Sequence, residues 1–460
     1  MPLAAVPRNL CPWFRAGRWQ VQERQVKVRV HDRIAIVTMD GADQNLLSTA
    51  LRAGLWEAFG RVCSQDGVQA VILCGAGPRF SAGLNLRAPD LADHARGTAR
   101  LCRRIETCPK PVIAALSGRC AGAGADLALA AHYRVATPDA ALVWPDVSLG
   151  LVPGAGGGQR LTRLIGAEAA LAALIRGQPV PAGLGQRLGL IDGIVNGDLA
   201  SGAVAFARTL VEAGKGARPA GGRRDKLRDG TAHLHAVSRA RAALAETPLV
   251  APARIVDCVE AAGLLPYEAA LAFEEDALAQ CLAHPQHRAL LHVFLAERTA
   301  PPALLASDDD GFRPTEDGRS MVARLRGAWE GAARHIAAAG MTEAAIDAAM
   351  VAFGFRKGPF GGRAAGAEDA MLTRRMTAAL IVEGARIIAD HGLHPATIDA
   401  LAVHGMGYPR RHGGPFRTAQ TMGLLGLRSD MRGWGAEAAL FAPPALLDEA
   451  IKDARGFDAL

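Results

Sequence analysis

Two carboxylates, Asp126 and Asp146, lie beside two glycine-rich turns, and that pairing is the most chemically suggestive feature of this 460-residue sequence. The first turn belongs to S-G-R-C-A-G-A-G-A-D-L at 117–127, and the second closes W-P-D-V-S-L-G-L-V-P-G-A-G-G-G-Q-R at 144–160. A third segment, R-F-S-A-G-L-N-L at 79–86, precedes both. Glycine-rich turns ahead of helices leave backbone N–H groups free and let a ligand approach the main chain closely. Free N–H donors aimed at one oxygen stabilise developing negative charge, and a carboxylate pair can move protons beside it. Enolate chemistry on a carbonyl compound such as a thioester needs both.

Such a site must be held by rigid elements, and the surrounding pattern supplies them. The V-K-V-R-V-H run up to His31 and I-A-I-V-T-M at 34–39 predict strands around a turn at His31–Arg33. L-W-E-A-F-G-R-V at 55–62 predicts a helix, and A-V-I-L-C-G at 70–75 a buried strand. P-V-I-A-A-L-S-G at 111–118 predicts another strand, A-D-L-A-L-A-A at 125–131 the opening of a helix, and Y-R-V-A-T at 133–137 a further strand. From Gly166 to Phe206 the pattern is helical with glycine breaks, residues 214–230 are a polar glycine-rich loop, and Thr247–Glu297 is again helical.

These three segments, in this order and context, resemble the crotonase (enoyl-CoA hydratase/isomerase) family. F-S-A-G-L-N-L at 80–86 is similar to its first signature and the run from Pro111 through Arg160 to its second, within a resemblance spanning roughly residues 26–200. The resemblance implies an α/β crotonase fold, a spiral of ββα repeats, acting on an acyl-CoA thioester. It implies that the backbone N–H groups of Leu84 and Ala123 form the oxyanion hole, with alanine at the second place where the family usually has glycine. It places Asp126 and Asp146 where hydratases carry two glutamates that hold a water and share the acid and base roles. Each aspartate is one methylene shorter, and a misplacement of about 1 Å can cost roughly 100-fold in rate. Ala82, Gly83, Gly122, Arg87 and Trp144 fall where the substrate and its CoA would lie, Arg87 toward the CoA phosphates and Trp144 beside the acyl group. Asn85 is a turn residue, and His132 reads as a satisfied structural histidine.

A second resemblance lies further along. A-P-A-R-I-V-D-C-V-E-A-A at 251–262, L-P-Y-E-A-A-L-A-F-E at 265–274 and H-V-F-L-A-E-R at 292–298 are similar to the connecting helix of multifunctional β-oxidation enzymes. An internal repeat follows: 341–362 parallels 393–416, each copy carrying Ile-Asp, then an aromatic-glycine turn, then Gly-Pro-Phe, after a helix ending at Gly340 or Gly392. This pair resembles the duplicated, all-α C-terminal domain of 3-hydroxyacyl-CoA dehydrogenases. The implied division is an N-terminal extension at 1–25, a crotonase domain at 26–245, a connecting helical segment at 246–300, an exposed acidic linker at 301–318 and the helical domain at 319–460. In such enzymes a nucleotide-binding domain stands where this chain has only the linker. No G-x-G-x-x-G follows a strand: the sixth position of the pattern begun at Gly122 is Leu127, and of that begun at Gly154 it is Gln159. The expectation is therefore no NAD site and no dehydrogenase chemistry.

Composition narrows the remaining classes. With 50% hydrophobic and 21% charged residues the chain can bury a core. The net charge of +7 and pI near 9.2 come from scattered residues, without a basic stripe interleaved with aromatics, so a nucleic-acid partner is not expected and a polyanionic ligand such as CoA suits the excess. No apolar run approaches the ~20 residues of a membrane span, and no signal-peptide pattern opens the sequence. The eight cysteines have no paired spacing and read as reduced thiols in a cytoplasmic protein. No metal-ligand spacing is found; His233 and His235 read as solvated, and His404 and His412 as turn or packing residues. The expected function is an enoyl-CoA hydratase/3-hydroxyacyl-CoA dehydratase of fatty-acid β-oxidation, monomer or homo-oligomer, with coenzyme A only as part of its substrate. The alternatives are another crotonase reaction (isomerisation, thioester hydrolysis or C–C cleavage) and a noncatalytic acyl-CoA-binding subunit.

Overall fold

The first strand pair shows how local sequence sets the architecture. β1 (Val21–Glu23), β2 (Val26–His31) and β3 (Ile34–Met39) run antiparallel, and β2 turns into β3 through Asp32 and Arg33 at φ 46° and 65°. Two left-handed residues in a two-residue loop match the twist of the strands they join. The computed structural model describes residues 21–23, 25–88, 90–308, 311–453 and 455–459, and the chain divides into two units, Met1–Leu282 and Ala283–Leu460.

In the first unit β4 (Ala70–Gly75), β5 (Val112–Leu116), β7 (Tyr133–Ala136) and β10 (Gly193–Ile194) add in parallel to β3, giving the order β1-β2-β3-β4-β5-β7-β10. A second sheet takes β6 (Arg119–Ala121), β8 (Ala141–Val143) and β9 (Val180–Pro181). The helices Thr49–Ser64, Leu91–Glu106 and Ala123–Ala130 lie between successive strands of the large sheet. The chain thus alternates between two sheets and a helix, which is the expected ββα spiral. All five residues of β5 are buried, as a parallel strand covered on both faces must be. One face packs Ile34, Ile72, Ile113 and Tyr133 under Ala203, Ala207 and Leu210 of the helix Leu199–Glu212.

Several expectations change here. The segment 246–300 is not a separate connector: the helices Val250–Leu264 and Tyr267–Ala283 pack within the first unit up to Leu282, and Pro285–Thr299 belongs to the second. The acidic stretch at 301–318 is not an open linker. It forms a hairpin, β11 (Leu305–Asp308) with β12 (Gly311–Pro314), because Leu305 is buried and Phe312 packs against the helical core. Thr315 then caps the helix Glu316–Ala338. Cys63 and Cys108 are joined as a disulfide between the ends of two helices, so these two are not free thiols. Cys74, Cys102, Cys120, Cys258 and Cys281 are free. His233 is buried on the helix Gly230–Ala243, whereas His235 on the same helix is exposed. The 1–25 extension lies largely outside the described residues.

The second unit carries the repeat into three dimensions. Asp347 accepts from the N–H of Phe360 at 2.8 Å, and Asp399 accepts from the N–H of Phe416 at 2.8 Å. In each copy the aspartate of Ile-Asp thus ties down the Gly-Pro-Phe turn. Glycine is required there, since an added Cβ on Gly358 or Gly414 would meet Asp347 or Asp399 at 2.2 and 2.4 Å. Asp399 also accepts from His292 at 2.8 Å, and His404 and Arg410 share Glu297. His412 stacks on Phe353 with ring centroids 4.1 Å apart. Both histidines of the repeat are thus packing and hydrogen-bonding residues.

Candidate active site

The loop at 79–86 is held by a short left-handed turn in which Asp43, Gln44 and Asn45 all have positive φ. The Asn45 side chain, buried, donates to the carbonyls of Ala76, Arg79 and Phe80 and accepts from the N–H of Gly41. Ser81 donates to the Asn45 carbonyl at 2.8 Å and accepts from the N–H of Gly83 at 3.2 Å. The loop is thereby pulled against the 117–127 turn. A Cβ on Gly83, at φ 91°, would fall 2.6 Å from the Ala121 carbonyl and 3.5 Å from the Ala123 nitrogen. Only glycine permits that approach.

Ala123 is the first residue of its helix, so its N–H has no intrahelical acceptor. The N–H of Leu84 likewise meets no acceptor among the described residues. The positive φ of the turn, 49°, falls on Gly122 and not on Ala123, which is how alanine is tolerated at that place. Both residues line a cavity of about 70 Å³ together with Ala82, Gly83, Gly122 and Asp146. The cavity brings together six of the nine residues nominated from sequence. Arg87 is exposed after an Asn85 turn, whose side-chain oxygen accepts the Arg87 N–H at 3.0 Å. Trp144 and Asp126 lie behind the cavity wall and do not line it.

The two aspartates therefore have different surroundings. Asp146 sits in the short helix Pro145–Leu149, and its Oδ2 is shielded from solvent with no hydrogen-bond partner. Burial, and then the negative charge of Asp126, push its pKa up to about 7. Asp126 is 1% exposed, and both its oxygens are engaged: Oδ1 accepts from the Trp144 indole at 2.9 Å and Oδ2 from the Ala155 N–H at 3.1 Å. Burial raises its pKa to about 6 against the pull of those donors. Trp144, fully buried, is a hydrogen-bond donor to Asp126 and not a wall of the acyl pocket.

Behind Asp126 stands a polar network that sequence reasoning did not single out. Arg160, fully buried, donates to the Ala155 carbonyl at 2.5 Å and to Glu106 at 2.8 and 3.1 Å. Tyr267 and the N–H of Gly221 complete Glu106 at 2.7 and 2.9 Å. Burial opposes the charge of Glu106, and Arg160 and these donors overcome it, holding its pKa below the usual range. A third carboxylate, Glu274, accepts the N–H groups of Gly158 and Gln159 at 3.3 and 3.0 Å at the start of the helix Gly157–Ile165. Burial and the nearby Asp126 push its pKa up to about 8. The available signal was a glutamate in the apolar run A-A-L-A-F-E ending at Glu274, on the helical stretch similar to a connecting helix. His132 spends both ring nitrogens, on the Val112 N–H at 3.0 Å and the Glu106 carbonyl at 2.9 Å, and is structural.

Among the described residues no group of three or more His, Cys, Asp or Glu could hold a metal ion, and no helix is long and apolar enough to cross a membrane.

Residues 29–219 match the family described as enoyl-CoA hydratase/isomerase, and residues 371–456 match the 3-hydroxyacyl-CoA dehydrogenase C-terminal domain. The peroxisomal bifunctional enzyme of Danio rerio is 34% identical over 287 residues, covering 60% of this chain and 38% of its own length. That of Pongo abelii is 32% identical over 275 residues, covering 59% and 38%. The chain thus spans well under half the length of these relatives. A solved enoyl-CoA hydratase from Bacillus anthracis is 23% identical, covering 60% of this chain and 98% of its own, with a TM-score of 0.40. The cytoplasmic expectation does not stand: these relatives are named as peroxisomal enzymes, and a Cucumis sativus relative as glyoxysomal.

Proposed function

We propose that this chain, whose residues 29–219 match the enoyl-CoA hydratase/isomerase family and whose residues 371–456 match the 3-hydroxyacyl-CoA dehydrogenase C-terminal domain, hydrates 2-enoyl-CoA thioesters through an enolate. The observation that carries the reading is Asp146, which lines an apolar cavity together with Leu84 and Ala123, the two residues whose backbone N–H groups meet no acceptor among the described residues. The thioester oxygen lies between the N–H groups of Leu84 and Ala123. Donors of this kind are worth roughly 3–4 kcal/mol each when charge develops on the oxygen.

Asp146 takes a proton from water as the water oxygen bonds to C3. The π electrons of the double bond move toward the thioester oxygen and give the enolate. Asp146 then returns the proton to C2, so that one water is added and the carboxylate is regenerated. A group with a pKa near 7 serves both halves at neutral pH. Asp126, one layer behind, keeps that proton affinity high through its negative charge. Arg87, exposed at the end of the 79–86 loop, meets the CoA phosphates. Addition of water is redox-neutral and calls for no nicotinamide.

The test is incubation with a 2-enoyl-CoA, with product mass and enoyl absorbance read together. A gain of one water supports the reading. A second reading, double-bond isomerisation, is favoured by one observation: Asp146 is the single carboxylate among the cavity residues. Conversion of a 3-enoyl-CoA to its 2-enoyl isomer without change of mass would select it.

A further inference from the structure

We infer that Leu278 and Leu282 fix the acyl-chain length accepted at this site and restrict it to short, unfunctionalised enoyl groups. The inference rests on the reaction proposed above and names its substrate class.

The helix Tyr267–Ala283 presents Glu274, Leu278 and Leu282 at a spacing of four, so the three share one face. Glu274 anchors that face on the N–H groups of Gly158 and Gln159, and Tyr267 ties the start of the helix to Glu106. The next two positions along the stripe, Leu278 and Leu282, line the cavity. Leu278 rests on the glycine turn: a Cβ added to Gly154 would lie 2.7 Å from its Cδ2 and 3.5 Å from the Ala95 methyl. The two leucines therefore line the cavity from a helix that Glu274 anchors on the Gly158 and Gln159 N–H groups.

The cavity measures about 70 Å³. A water-sized group needs roughly 10–15 Å³ on that measure, so the space corresponds to about five to seven water-sized groups. That suffices for a thioester carbonyl and a short hydrocarbon tail. Apart from Asp146, the one side chain with a polar group on the wall is Thr98, and its hydroxyl already donates to the His94 carbonyl at 2.9 Å. Beyond the Leu84 and Ala123 N–H groups and Asp146, which the reaction uses, and the Thr98 oxygen as an acceptor, the lining side chains are apolar, so the wall favours an aliphatic tail.

The full chain and its Leu278→Ala, Leu282→Ala and Leu278→Met variants are compared on four-, eight- and twelve-carbon 2-enoyl-CoA substrates. The dissociation constants of the matching saturated acyl-CoAs are measured in parallel. The wild type is expected to lose about tenfold or more in kcat/KM from the four- to the eight-carbon substrate, each alanine variant to recover most of that loss, and the methionine variant to keep the wild-type profile. Equal turnover of short and long chains by the wild type would overturn the inference, as would alanine variants that change both substrates by the same factor. If no substrate turns over, the hydration reading fails by itself. The saturated thioesters then still decide the inference, because their affinity must fall with chain length in the wild type and level out in the alanine variants.

Discussion

The Trp144 indole donates to Asp126 at 2.9 Å, and this bond separates the roles of two residues that look equivalent in sequence. Asp126 spends one oxygen on Trp144 and the other on Ala155, leaving Asp146 alone at the cavity. Asp146→Asn should therefore lower kcat by about 100-fold or more, in the range for loss of a positioned acid/base. Asp126→Asn should cost less and move the midpoint of the kcat–pH profile to lower pH, because it removes the charge that raises Asp146. Equal losses with unchanged profiles would contradict this division.

The same buried carboxylates make stability depend on pH with a defined sign. Asp126, Asp146 and Glu274 have pKa values raised to about 6, 7 and 8, above those of an unfolded chain. The folded state binds their protons more tightly, so their contribution is complete below about pH 4 and is lost as pH rises through these values. Glu106, held low, acts oppositely and loses its contribution on acidification. Between pH 5.5 and 8, Asp146→Asn should flatten the decline of Tm seen in the wild type. A steeper decline in the variant would refute the assignment.

Gly157 is the most constrained residue near the site. A Cβ there would lie 1.8 Å from Asp126 Oδ1, which has no room to withdraw between Trp144 and Ala155. Gly157→Ala should destabilise the protein by roughly 2–4 kcal/mol in denaturant unfolding, as overpacking beside a buried charge does. At Gly122 a Cβ would clear Asp146 by 3.7 Å, and its φ of 49° is the main obstacle. Gly122→Ala should cost about 1–3 kcal/mol through backbone strain, because φ 49° with ψ −123° is a conformation that only glycine adopts readily.

In the helical unit the two repeat aspartates differ in burial and in partners. Asp399 is fully buried and accepts from Phe416, Arg417 and His292, whereas Asp347 serves two backbone donors and is 5% exposed. Asp399→Ala should destabilise this unit by about 3 kcal/mol or more, since it orphans more donors. Asp347→Ala should cost less, and the reverse order would contradict the account.

Much of the site was legible because glycine-rich turns constrain the backbone locally. The segments at 79–86 and 117–127 come together as the family resemblance implied, and Leu84, Ala123 and Asp146 share one cavity. The orientation of Asp126 was not legible, because it depends on Trp144 and on the space left by Gly157, which only the folded chain brings together. Glu274 and Tyr267 were hidden for a similar reason: their partners at Gly158, Gln159 and Glu106 are more than a hundred residues away. The acidic run at 301–318 looked solvated from composition, yet Leu305 and Phe312 supply enough apolar contact to seat a hairpin. The Cys63–Cys108 pair has no spacing signal, since two separate helices bring it together.

The most direct test of the central claim is turnover of a short 2-enoyl-CoA by the wild type and Asp146→Asn, read by product mass. The account predicts addition of one water by the wild type and near-complete loss in the variant. A variant that hydrates at the wild-type rate, or a wild type that binds the thioester and leaves it unchanged, would contradict it.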